Sequence, residues 1–188
     1  DEMAMPSEQA VIDKISAISE YQTAFKAAFN TDNAITYDNL AHAIAAFERT
    51  LITKDRFDQY MLGDATALNP QEKSGLQAFI NTGCTACHGG PTLGGSTYQK
   101  LGLVKAYENQ ADQGRFDLTN KPADKMVFKV AMLRDVARTA PYFHDGKIET
   151  LEEAVKTMAA LQLGRELDDK TTADIVAFLK AMNHDSSL

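Results

Sequence analysis

Five residues, Cys84-Thr85-Ala86-Cys87-His88, constrain this chain more than any other feature, because they contain both of its cysteines. The spacing C-x-x-C-H is the attachment signal for c-type haem. Two intervening residues let both sulfurs reach the vinyl-derived carbons on one edge of the macrocycle, and the adjacent histidine is then placed under the iron as an axial ligand. A zinc site would want a second pair of Cys or His ligands at matched spacing, and the chain has no further cysteine. A thioredoxin-like redox pair belongs in a βαβ pattern and needs no histidine at that position. A plain disulfide, or two unrelated thiols, is the remaining alternative. The helical frame and the long loop that follows the motif favour haem. Covalent haem attachment takes place on the outer side of the bacterial inner membrane, so a periplasmic protein whose signal has been removed is expected.

The frame is read from periodicity. Ser7 is placed to cap a helix over 8–18, with Val11, Ile12, Ile15 and Ile18 at helical spacing. A second helix is expected over 20–30, with Tyr21, Phe25 and Phe29 on one face. Thr36 or Asp38 caps a third, alanine-rich helix over 39–52, whose His42 is most simply a surface or packing residue. Asn69 as cap and Pro70 at the first helical position start a helix that runs directly into Cys84. Thr150 with Glu153 predicts a capping box for 151–163, closed by Gly164. The last helix, 169–183, is capped by Asp168 or Asp169 and has Ile175, Val176, Phe178, Leu179 and Met182 as its apolar face. Gly75 permits close helix approach there, with Phe79 one turn on, so 175–179 is expected to cross that helix beside the haem. From Gly89 to about Val130 periodicity is weak, and a loop of that length is expected to be organised by a bound cofactor. No strand pattern stands out, so the fold class is all-α: a cytochrome c-like helical domain around a covalent haem, with additional N-terminal helices.

Charge and hydropathy exclude two partners. A net charge of −7 with scattered basic residues offers nothing to release counterions from nucleic acid. The longest apolar run, 126-MVFKVAML-133, is interrupted by Lys129 and falls far short of the ~20 residues that cross a bilayer.

With His88 below the iron, the sixth position decides between chemistries. Methionine there raises the potential and marks electron transfer, while an open face marks catalysis. The candidates are His144, His184, Met126, Met132, Met158 and Met182. Met158 lies on a helical stripe with Leu151 and Val155, but spacing does not separate a ligand from a buried packing residue.

Several stretches together resemble the bacterial di-haem cytochrome c peroxidases, relatives of the methylamine-utilisation di-haem enzymes. They are 43-AIAAFERTLITKDRFDQYMLGD-64, 75-GLQAFINTGCTACHGG-90, 133-LRDVARTAPYFHDG-146, 151-LEEAVKTMAALQLG-164 and 175-IVAFLKAM-182, in the family's order. The resemblance implies that Cys84 and Cys87 carry the thioether bonds, with His88 the proximal and Met158 the distal ligand of a high-potential, electron-accepting haem. It places Arg134 near a haem propionate and His144 near the haem edge. It also implies a structural calcium on the backbone carbonyls of Thr139 and Pro141, in a segment facing the second haem of the full-length family.

On this mapping 1–65 is a helical segment of an incomplete peroxidatic domain. Residues 66–167 form the haem domain, and 168–188 the C-terminal helix packed on it. Glu2 matches a catalytic acid beside the peroxide-binding iron; read alone, it is a terminal carboxylate. The chain departs from the family in having a single C-x-x-C-H and no tryptophan. The expected role is therefore to accept an electron from a small cytochrome c or copper protein and pass it towards a peroxide-reducing haem in a missing N-terminal domain. A stand-alone monohaem carrier and a di-haem oxidase of another substrate are the alternatives. Without the missing domain, Val11, Ile15, Phe25 and Phe29 are expected to present an apolar face, favouring a homodimer or altered packing.

Overall fold

The computed structural model describes residues 5–51 and 53–185. They form two compact units divided between Ile52 and Thr53. Glu2 lies outside the described residues. The segment 53–65, grouped by sequence with the first part, belongs to the second unit.

The first unit holds α1 (Glu8–Ser16), α2 (Ser19–Phe29) and α3 (Tyr37–Glu48). The Ser7 hydroxyl accepts the Ala10 N–H at 3.2 Å, and the Thr36 hydroxyl accepts that of Asn39 at 3.1 Å. These are the expected caps, and Thr36 rather than Asp38 starts α3. Extended backbone at Ile18 ends α1 short of its expected limit and lets α2 begin at once. Phe25 stacks on Phe29 at 5.7 Å and meets Tyr21 edge-on. The expected open face does not form: Phe25 is buried, and Val11, Ile15 and Phe29 are half-buried. The exposed apolar side chains here include Ile44, Phe47 and Leu51, on α3 and just after it.

The second unit contains α4 (Arg56–Met61), α5 (Pro70–Thr82), β1 (Tyr98–Lys100), α6 (Phe116–Thr119), β2 (Val127–Lys129), α7 (Leu151–Leu163) and α8 (Asp169–Ala181). The fold is mostly helical, as expected, with one short two-stranded sheet that was not. β1 and β2 pair antiparallel, with Gln99 opposite Phe128, inside the stretch that lacked periodicity. Strands of three residues are too short to show an alternating pattern. Helix α4 is likewise too short for periodicity; a reciprocal capping box between Asp55 and Asp58 starts it.

The centre of this unit is the crossing of α5 and α8. A β-carbon on Gly75 would lie 1.8 Å from the Asp174 carbonyl oxygen and 2.9 Å from Cβ of Phe178, so α8 rests directly on the α5 backbone. Phe79, one turn on, packs against Phe178 with ring centroids 5.6 Å apart, and Phe57 meets Phe178 edge-on at 5.2 Å. The five apolar residues expected on α8 are all buried. The Asn69–Glu72 capping box forms, and at Thr150 the threonine half of the expected box forms. Glu72 also makes a two-pronged pair with Arg56. Burial alone would lift its carboxyl, but Arg56 and the Asn69 N–H outweigh that and hold it below the usual carboxylate range.

Candidate haem site

Gly83, at φ +101°, closes α5 and turns the chain into a 3-10 turn over Cys84–Ala86. The Cys84 carbonyl accepts the N–H groups of Cys87 (3.3 Å) and His88 (2.9 Å), which winds the whole motif into one turn. Both thiols are free and half-buried. With His88 they line a mainly apolar cavity of about 560 Å³, inside the 300–1,000 Å³ range of cofactor pockets. Burial pushes the Cys84 thiol up to about 11.

His88 is fixed from behind. Its Nδ1 lies 3.1 Å from the Leu93 carbonyl oxygen, the arrangement in which Nδ1–H donates and Nε2 keeps a free lone pair. Burial lowers its pKa, which the Leu93 carbonyl opposes, so the imidazole is neutral at pH 7 as a metal ligand requires. The loop presenting that carbonyl is tightly constrained. Leu93 is buried at φ +49°, a costly conformation for a non-glycine residue. Gly94, at φ +129°, sits where a β-carbon would be 2.1 Å from the Ala131 carbonyl oxygen.

Helix α7 lines the same cavity. Leu151, Ala154, Val155, Met158, Ala159 and Gln162 all line the cavity, at the spacing of one helical face. Among the six candidates for the sixth ligand, three line the cavity: Met158, Met132 and His144. Met126 and Met182 are buried in core clusters instead, and His184 Nδ1 lies against the Lys54 backbone. Met132 is more than half exposed. His144 stacks on Phe128 at 4.3 Å, and its buried Nε2 has no hydrogen-bond partner.

The residues therefore fit a c-type haem. Two unpaired thiols, a tethered neutral histidine and an apolar cavity supply what covalent attachment and ligation need. The unpartnered His144 nitrogen marks a polar group that the protein alone does not satisfy.

Two further expected contacts concern Arg134 and the Thr139–Pro141 carbonyls. Arg134 does not line the cavity. Its guanidinium pairs with Asp55 and with Asp58 (2.8 Å), its Nε donates to the Pro91 carbonyl (3.0 Å), and it lies over the Phe57 ring. It ties α4 to the loop at Pro91. Thr139 and Pro141 do line the cavity. Among the described residues no three His, Cys, Asp or Glu side chains gather to hold a metal ion, so the calcium reading depends on carbonyl oxygens. Sequence reasoning also missed the Tyr107 and Asn109 side chains, which both donate to Asp145 and brace the Phe143–His144 segment. No local pattern signals a pair 38 residues apart.

Fold and cavity define a class: a mostly helical domain that turns a C-x-x-C-H motif and a methionine-bearing helix onto one apolar pocket. Known proteins of this build narrow it. The family model described as di-haem cytochrome c peroxidase matches residues 1–66. The cytochrome c551 peroxidase of Nitrosomonas europaea is 45% identical over 184 residues, covering 96% of this chain and 55% of that protein. The cytochrome c551 peroxidase of Pseudomonas aeruginosa is 44% identical over 93% of this chain and 52% of its own length. The crystal structure of a MauG-like protein associated with microbial copper homeostasis superposes with a TM-score of 0.76 at 27% identity, covering 95% of this chain and 63% of that one. The chain belongs to the di-haem cytochrome c peroxidase family, and the family implies haem c. It spans about half the length of the curated relatives it matches. Among the described residues no helix is long and apolar enough to cross a membrane.

Proposed function

We propose that this chain is the electron-transferring haem portion of a periplasmic di-haem cytochrome c peroxidase. The observation that carries the reading is the convergence of Cys84, Cys87, His88 and Met158 on one apolar cavity. Bound there, a haem supplies a one-electron couple. Cys84 and Cys87 would anchor it through thioether bonds, and His88 would offer Nε2 from a ring held by the Leu93 carbonyl. Met158 would offer its thioether from α7. The apolar walls contributed by Phe79, Leu179 and Val155 exclude water and so help set the potential. Arg134 holds α4 and the loop at Pro91 together, two residues from Leu93. With His88 and Met158 both holding the iron, the site would exchange electrons and leave peroxide no open position. Reduction of peroxide then belongs to a second haem in the parent protein, fed by a small cytochrome c or copper protein. The calcium on the Thr139 and Pro141 carbonyls and a catalytic role for Glu2 belong to the same reading.

Replacing Met158 by alanine in the haem-loaded protein is expected to convert the low-spin reduced spectrum to a high-spin one and to lower the midpoint potential. An unchanged low-spin spectrum sinks the assignment and turns attention to Met132 or His144.

A further inference from the structure

Gln162 stands one helical turn beyond Met158 on the cavity face of α7, and it makes three hydrogen bonds to a loop about 60 residues away in sequence. Its Oε1 accepts the N–H groups of Gly102 (2.8 Å) and Leu103 (2.9 Å), and its Nε2 donates to the Lys100 carbonyl (2.9 Å). One residue earlier, the Leu161 carbonyl accepts the N–H groups of Val104 (2.9 Å) and Lys105 (3.1 Å). The last turn of α7 is thus stitched to residues 100–105, the end of β1 and the loop that follows it.

The loop is shaped for this contact. Gly102 lies at φ +84°, where a β-carbon would come within 2.9 Å of the Lys105 carbonyl oxygen. At the end of α7, a β-carbon on Gly164 would come within 3.0 Å of Val104 Cγ1. The helix does not need the amide for its own closure, because the N–H groups of Gly164 and Arg165 already reach the Ala160 and Ala159 carbonyls. What the amide adds is a fixed relation between α7 and the β1 edge of the cavity.

We propose that Gln162 is a positioning residue that sets the depth and rotation of α7 and thereby holds Met158 towards the iron opposite His88. The proposal rests on the haem reading above. A neutral thioether is a replaceable ligand, and ligand positions must be held to within about 0.5 Å by surrounding hydrogen bonds. Losing an outer-shell partner of a metal site typically costs 10–100-fold in affinity.

The test is imidazole binding to the oxidised, haem-loaded protein, since imidazole must displace Met158, read together with the methionine-to-iron charge-transfer band. Gln162→Leu leaves two N–H groups and one carbonyl unpaired. It should tighten apparent imidazole binding by about tenfold or more and weaken the band. Gln162→Glu keeps the acceptor for Gly102 and Leu103 and should restore binding to within about threefold of wild type. Gln162→Asn keeps the amide but is one methylene too short to reach the loop, and it serves as the disrupted variant if the leucine protein does not fold. Lys156→Ala, which removes an exposed tie between α7 and Asp169, should leave imidazole binding unchanged. Wild-type imidazole affinity and an undiminished band in both disrupted variants would overturn the role of Gln162. A wild-type protein that lacks the band contradicts Met158 ligation itself, which separates the two failures.

Discussion

Gly75→Ala is expected to destabilise the second unit by about 3 kcal/mol or more, a large fraction of the stability of an ordinary domain. Glycine-to-alanine inside a helix normally gains about 1 kcal/mol in propensity, so the sign of the effect is diagnostic. Here the added methyl would stand 1.8 Å from the Asp174 carbonyl oxygen and 2.6 Å from the carbonyl carbon. Those atoms are backbone of α8 and cannot rotate away as a flexible side chain would. Relief requires α8 to lift from α5, which separates Phe79 from Phe178 and opens the apolar wall at Leu179. Gln77→Ala, on the exposed face of the same helix, should change stability by no more than about 0.5 kcal/mol. Denaturant unfolding of the two variants checks the contrast, and a Gly75→Ala protein as stable as wild type would show that the crossing is looser than this geometry.

The second large effect concerns Arg134. Its replacement by methionine is expected to cost about 3–5 kcal/mol, because it leaves the fully buried Asp55 carboxylate without its partner. Asp58 loses a bond as well, and the Pro91 carbonyl loses its donor. An arginine facing a haem propionate would behave differently: its removal would shift the potential and leave stability of the haem-free chain nearly unchanged. Urea midpoints of the haem-free Arg134→Met chain, compared with Asp55→Asn and the double variant, distinguish the two. A double variant markedly less destabilised than the sum of the singles identifies the ion pair as the cause.

These expectations show which features a sequence exposes. Caps are local, so Ser7, Asn69 with Pro70, and Thr150 were legible from side chains three residues from the N–H groups they receive. The close approach at Gly75 was legible because a glycine one turn before a phenylalanine faced a second apolar stripe. The C-x-x-C-H motif was legible because covalent chemistry fixes its spacing. Arg134 was not, since its partners Asp55 and Asp58 lie 79 and 76 residues away and no periodicity connects them. The Gln162 clamp escaped for the same reason. Short elements escaped for another: three-residue strands and the six-residue α4 end before a period can repeat. Met158 falls between these cases. Its stripe was visible, but a ligand and a core methionine share that stripe. The fold narrowed the choice to Met158, Met132 and His144, because Met126 and Met182 do not line the cavity and His184 lies against Lys54.

On the proposed reading, Cys84 and Cys87 hold a haem whose iron is ligated by His88 and Met158. The most direct measurement is peptide mass mapping of the protein matured in a periplasm that attaches c-type haem, with the reduced absorption spectrum recorded on the same sample. A peptide spanning 84–88 should be heavier by one haem, with both thiols unavailable to alkylation and a low-spin reduced spectrum. An unmodified peptide with two alkylatable cysteines, from cells that mature other c-type cytochromes, would contradict it.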